Sequence, residues 1–137
     1  MRGWSLAPAR LIVKFLGLLF GLVEGSILFS QMEDCVFCKI IKGEIPSDKV
    51  KETENLIAIN DINPQADVHI LIIPKKHIKD INEASDALWT EIKQLGLELM
   101  KEKGINNFRM TTNAGDAAVV HHMHMHLLGK ISSDRKI

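Results

Sequence analysis

Residues 121–128 read His-His-Met-His-Met-His-Leu-Leu, and no other stretch of this chain restricts its fold as tightly. Strict alternation of polar and apolar residues is the period of a β-strand, whose successive side chains point to opposite faces. His122, His124 and His126 then share one face, and Met123, Met125 and Leu127 share the other. The apolar face can enter a core. The opposite face carries imidazoles about 7 Å apart by strand rise, a row that core packing does not ask for. The strand is predicted over Val119 to Leu128.

Shorter signals place the other elements. Cys35 to Ile41 is expected as a short helix, broken off by Gly43 and Pro46. Lys49 to Thr53 and Asn55 to Asn60 read as two strands, followed by a turn at Asp61-Ile-Asn-Pro64. His69 to Ile73 is an apolar, β-branched run, expected to be a buried strand that Pro74 ends. Leu88, Ile92, Leu95 and Leu99 recur at three- and four-residue steps, which predicts an amphipathic helix over Asp86 to Lys103 with Gly104 past its end. Phe108 to Thr112 reads as a further strand. The expected fold class is α+β: an antiparallel sheet of about five strands with one long helix and a short N-terminal helix.

Two domain-level segments differ in composition. Residues 1–31 hold an apolar run from Leu11 to Phe29, interrupted by Lys14 and Glu24, with Arg2 and Arg10 upstream. Three readings stand for it: a signal peptide, a membrane anchor, or a start-site artefact with Met32 as initiator. The third is favoured, because Met32 directly precedes the first motif. Residues 32–137 form the expected folded domain and carry a formal charge of −2. Without a basic footprint, no nucleic-acid polymer is expected as partner. The expected location is cytoplasmic, with membrane association or export as the alternative if residues 1–31 are retained.

The histidine row has three chemical readings. It can bind a metal, do nucleophilic and acid–base work at phosphorus, or be a polar surface stripe. Neutral imidazole is nucleophilic near pH 7 and leaves well once it carries a phosphoryl group. The apolar interleaving favours the phosphorus reading. Cys35 and Cys38, the only cysteines, are spaced as a metal half-site or a redox pair; buried free thiols are the plain alternative.

Taken together, these segments resemble the histidine-triad family, whose signature is His-φ-His-φ-His-φ-φ with φ apolar. Here it reads His122-Met-His124-Met-His126-Leu-Leu128. Cys35 to Pro46 resembles the family's N-terminal segment, Ala58 to Ala66 its ribose-binding turn, His69 to His77 its central strand, and Asn113-Ala-Gly115 the loop before the triad. The nearest branch looks like the purine nucleoside phosphoramidases. The resemblance implies a nucleotide hydrolase or transferase acting on purine nucleoside 5′-monophosphate derivatives. It implies His124 as nucleophile, His126 on the phosphate, and the His122 carbonyl holding the nucleophile's other nitrogen. It implies Asp61 on the ribose, Asn113 near the phosphate, and His69 supporting the site. Val36, Phe37, Ile40, Ile59, Ile62 and Leu71 would wall the base. Relatives with the cysteine pair complete a structural zinc site, which here would use Cys35, Cys38, His77 and His122; no catalytic metal is implied. A homodimer through the long helix and an edge strand is implied as well.

The loop before the triad departs from the pattern. Asn113 to His122 is about two residues shorter than the family's usual length, and Ala117, Ala118 and Val119 replace a Gly-Gln pair and a hydroxyl residue. Fewer glycines leave the backbone less freedom to approach a phosphate. A catalytically weak nucleotide-binding or scaffold module is therefore the second reading.

Overall fold

The computed structural model describes residues 34–134. Its strands are β1 (Lys49–Glu52), β2 (Leu56–Asn60), β3 (Val68–Pro74), β4 (Phe108–Thr111) and β5 (Met125–Gly129), and its helices are α1 (Val36–Ile41) and α2 (Asp86–Glu102). All five strands join one antiparallel sheet in the order β1-β2-β3-β5-β4. This is the expected α+β architecture, with its one long and one short helix. The N-terminal extension 1–31 lies outside the described residues. Among the described residues, no helix is long and apolar enough to cross a membrane.

The apolar period of α2 selects its buried face. Ile92, Leu95, Leu99 and Met100 are buried, and Leu88 packs at the margin. Ser85 caps the helix by accepting from the Leu88 N–H at 3.1 Å, which satisfies one donor of the open first turn. Asp86 lies in the first turn and Lys101 in the last, each at the end its charge favours. The central strand β3 is buried from His69 to Pro74, because both faces of the sheet are covered there.

Two apolar clusters follow from the strand alternation. On the α2 face, Ile70 and Ile72 of β3 pack with Met123, Met125, Leu127 and the helix residues. On the other face, Leu71 and Ile73 pack with Ile57, Ile59, Cys35, Phe37 and Cys38. The methionines of the histidine run thus enter the core, as the alternation predicts, and the histidines face the α1 side.

The final strand was expected from Val119, yet β5 begins at Met125, and residues 119–124 lie in bends and irregular backbone. The reason lies in its neighbours. The β3–β5 ladder ends at Ile72↔Met125, and two positions further, opposite Met123, Pro74 has no N–H to offer. The Met123 N–H goes instead to the Ile78 carbonyl at 2.8 Å. On the β4 side, the Thr112 hydroxyl donates to the His124 carbonyl at 2.7 Å, so a side chain replaces the ladder.

Candidate active site

Main-chain groups decide which nitrogen of each histidine carries the proton. A carbonyl only accepts, so His124 Nδ1, 2.8 Å from the His122 carbonyl, must be the protonated nitrogen. The neutral ring then keeps its lone pair on Nε2. His122 Nε2 likewise donates to the Pro74 carbonyl at 2.7 Å, leaving its Nδ1 lone pair available. A backbone N–H only donates, so His69 Nδ1 accepts from Gln65 N at 3.0 Å and the neutral His69 ring holds its proton on Nε2. That Nε2–H donates to His126 Nδ1 at 2.9 Å, and the His126 proton is left on Nε2. Burial, His124 and His69 push His126 down to about 4, so it is neutral at pH 7. The row therefore presents an acceptor nitrogen on His124 beside a donor nitrogen on His126, with ring centroids 4.9 Å apart.

Asp61 closes one end of this network. Its Oδ1 accepts from Asn63 N at 2.8 Å, an Asx turn, and its Oδ2 lies 3.4 Å from His69 Nε2. Asp61, His69 and His126 lie close enough to suggest a metal site. The proton positions argue otherwise. A metal on His69 Nε2 would move the proton to Nδ1, against the Gln65 N–H. The His69 and His126 rings are hydrogen-bonded to each other, with the Asp61 carboxylate 3.4 Å from His69 Nε2.

Phe37 lies edge-on to His124 and His122, with centroids 5.0 and 5.8 Å away. Ile59 and Leu71 lie in the same cluster and Ile40 packs at its margin, so these expected wall residues converge with the histidines. Val36 points outward from α1 and is 38% exposed, and Ile62 is 89% exposed in the turn after β2. Asn113 is exposed at the end of β4.

A second cluster brings the start of α1 together with the segment after β3 and the irregular backbone before β5. Cys35 Sγ is 3.2 Å from His122 Nδ1; Cys38 Sγ is 3.4 Å from the same nitrogen and 3.2 Å from His77 Nδ1. The four ligand atoms lie within 4.8 Å of one another. Two sulfurs and two nitrogens at this spacing suit a closed tetrahedral metal site, whose ligand–ligand separations are about 3.5 Å. The His122 tautomer also fits, since its lone pair faces the sulfurs and its N–H is held by a carbonyl. Burial keeps His122 neutral, down to about 4. Burial and the adjacent Cys35 push the Cys38 thiol up to about 12, so a metal entering here must displace a proton. These residues can hold a metal ion.

Comparisons with known proteins agree with this geometry. Residues 34–136 match the family described as "Scavenger mRNA decapping enzyme C-term binding". The adenosine 5′-monophosphoramidase of Schizosaccharomyces pombe is 39% identical over 98 residues, 70% of this chain and 74% of that protein. A HIT family hydrolase from Clostridium thermocellum superposes with a TM-score of 0.71 at 44% identity, over 77% of this chain and 97% of its own. A zinc-bound histidine-triad protein from Mycobacterium smegmatis superposes at 0.68 with 28% identity, over 76% and 80%.

The chain belongs to the histidine-triad family.

It is a histidine-triad hydrolase related to the phosphoramidase branch, and the row His122, His124, His126 is the family's triad. Three groups that brace the site were not legible in the sequence: the Gln65 N–H on His69, the Thr112 hydroxyl on the His124 carbonyl, and Asp80. The last is 4% exposed and accepts from Asn82 N at 2.9 Å, Asn82 Nδ2 at 2.9 Å and, across 35 positions, Gly115 N at 3.0 Å. The Gly115 and Asn82 N–H groups hold its carboxyl below the usual carboxylate range. The divergent histidine-triad loop itself folds as a short 3-10 turn, Gly115–Ala117, and leaves Val119 97% exposed.

Proposed function

We propose that the protein hydrolyses purine nucleoside 5′-monophosphate derivatives, such as adenosine 5′-phosphoramidate, through a nucleotidyl–histidine intermediate. One observation carries this reading: the His124 Nδ1–H is committed to the His122 carbonyl, so Nε2 is the nucleophilic nitrogen. That lone pair forms the bond to phosphorus while the bond to the leaving group breaks and the leaving group takes a proton from solvent water. Water then attacks the phosphorus, the P–N bond breaks, and the monophosphate leaves with the imidazole restored. His126 Nε2–H donates to a phosphate oxygen throughout. The ribose hydroxyls sit on Asp61, and the base lies among Phe37, Ile40, Ile59, Leu71 and the exposed Val36 and Ile62. Asn113 faces the phosphate. A His124→Ala variant should lose at least ~10³-fold in turnover of a fluorogenic nucleoside phosphoramidate. An acid-labile radiolabelled adduct should form on wild type alone. Full turnover by His124→Ala overturns the mechanism.

The cysteine–histidine cluster holds a structural zinc in this reading, with Cys35, Cys38, His77 and His122 as ligands. The ion would tie α1 to the segment after β3 and to the backbone leading into β5, and supply no chemistry at phosphorus. Two metal-binding thiolates suit a reducing compartment, which supports a cytoplasmic location for the 32–137 domain.

The protein is also proposed to be a homodimer. Edge strand β4 has an open side, and Trp89 (39%) and Leu97 (45%) are exposed on α2. Between β4 and α2 lies a pocket of about 160 Å³ lined by Trp89, Ile92, Lys93, Met110, Thr111, Thr112 and Met125. Among the described residues, the buried Arg109 Nη1 has no hydrogen-bond partner, and an acceptor from a second copy would satisfy it. The loop before the triad favours a second reading, a nucleotide-binding module with weak catalysis. Micromolar monophosphate binding without turnover of phosphoramidates or acyl-adenylates would decide for it.

A further inference from the structure

We propose that Asp80 is a positioning residue, whose single carboxylate caps two turns at once and so fixes the loop that delivers His122 and His124. The inference rests on the phosphorus chemistry proposed for His124.

Each carboxylate oxygen has its own turn. Oδ1 accepts from Asn82 N and Nδ2, which caps the 3-10 turn Ile81–Glu83 of Asp80's own segment. Oδ2 accepts from Gly115 N, the first residue of the 3-10 turn in the loop before the triad. That second turn has no cap of its own. Ala114 stands at the capping position, where serine or aspartate would normally accept, and it makes no side-chain bond. Gly115 is at φ +58°, a conformation that suits glycine and turns its neighbours sharply. Asp80 thus supplies from a distance the cap that the loop's alanines cannot.

The tie matters because both ends of this loop act on His124. At the start, the Thr112 hydroxyl holds the His124 carbonyl. At the end, the His122 carbonyl holds His124 Nδ1. The end of β3 and the segment after it grip the loop and the start of the histidine run at three points: Pro74 O on His122 Nε2, Ile78 O on Met123 N, and Asp80 Oδ2 on Gly115 N. The first two hold the histidine end. Asp80 alone of the three reaches the middle of the loop. Without it, the ten residues from Thr112 to His121 turn on small side chains, and the His122 carbonyl is free to drift from the His124 ring.

The test compares Asp80→Ala, Asp80→Asn and Asn82→Ala with wild type. Turnover of a fluorogenic nucleoside phosphoramidate, zinc content and hydrogen exchange of the Gly115 amide are read on each. Asn82→Ala removes one bond to Oδ1 and leaves the Gly115 tie, so its kcat and Gly115 exchange should match wild type. Asp80→Ala should lower kcat about 10- to 100-fold, with KM changed less than about threefold because base and ribose bind elsewhere. Its Gly115 amide should exchange faster while zinc content stays. If Asp80→Ala does not fold, Asp80→Asn keeps Oδ1 for Asn82 and removes only the acceptor for Gly115, and the same kcat loss is expected. Unchanged kcat in both Asp80 variants overturns the proposal, as does an equal loss in Asn82→Ala, which would make Asp80 a cap of its own turn only. An inactive wild type would sink the phosphorus chemistry. Gly115 exchange would then judge the tie: faster in the Asp80 variants supports it, and equal rates overturn it.

Discussion

His69, His122, His124 and His126 differ in chemistry because different groups face each of them. The Gln65 N–H assigns the proton of His69 and, through it, that of His126. Removing His69 should leave His126 free to take the other tautomer and present a lone pair to a phosphate oxygen. His69→Ala is expected to lose ~10²-fold in turnover, the scale of one lost oxyanion donor. His69→Gln can still donate from its amide to His126 Nδ1, so it should recover part of that loss in the same assay. Acid should also loosen the site. The ordinary His126 value of 6.5 falls to about 4 in the fold, so between those values the unfolded chain binds more protons. Stability is then full above about pH 6.5 and is lost as pH falls toward 4. Urea midpoints measured from pH 7 to pH 4.5 should drop steadily. The slope should shrink in His126→Gln, and an unchanged slope would remove His126 as its cause.

Helix α2 and strand β4 meet closely because position 96 has no side chain. A Cβ on Gly96 would lie 2.6 Å from the Met110 terminal methyl and 3.5 Å from Ile72 Cδ1. The nearer atom ends a flexible side chain that lines the adjoining pocket, so it can swing away. Alanine also gains about 1 kcal/mol of helix propensity over glycine. Gly96→Ala should therefore leave the unfolding free energy within about 1 kcal/mol of wild type by urea titration. The same pairing exposes Trp89 beside the β4 edge, where the proposed dimer would form. Trp89→Glu puts a charge into that contact and should shift the protein toward monomer. Sedimentation at tens of micromolar reads this, and a monomeric wild type would end the dimer proposal.

The proposed zinc links parts of the chain far apart in order: α1 through Cys35 and Cys38, the segment after β3 through His77, and the approach to β5 through His122. A ligand that binds only the folded chain stabilises it by mass action, by about 3 kcal/mol at a hundred times its Kd. For a domain this small that is ~10 °C or more in Tm. Chelation should lower the melting temperature by such an amount, and Cys38→Ala should lose metal and stability together. Zinc uptake should also weaken on acidification, since the Cys38 proton must leave first. Elemental analysis of protein purified without affinity metal, with zinc near zero and unchanged melting after chelation, would leave the cysteines as buried thiols.

Much of this molecule is local in origin and can be read without coordinates. The histidine–methionine alternation separates a core face from a chemical face, because strand period alone sends neighbours to opposite sides. The three- and four-residue spacing of Leu88, Ile92, Leu95 and Leu99 marks the buried face of α2 for the same kind of reason. The Cys-x-x-Cys pair and the ordered motifs from Cys35 to Gly129 point to the family and to its ligand set. What the sequence leaves open depends on partners distant along the chain. The last strand stops at Met125 because Pro74, on its neighbour, has no N–H, and no pattern within residues 119–128 carries that fact. The proton positions on His69, His122, His124 and His126 depend on Gln65, Pro74 and His122 main-chain atoms brought beside them by folding. Asp80 carries no signal of its role in sequence, because its bond to Gly115 spans 35 positions. Periodicity records which side of an element faces the core; it holds no record of which donor meets which acceptor once the elements have packed.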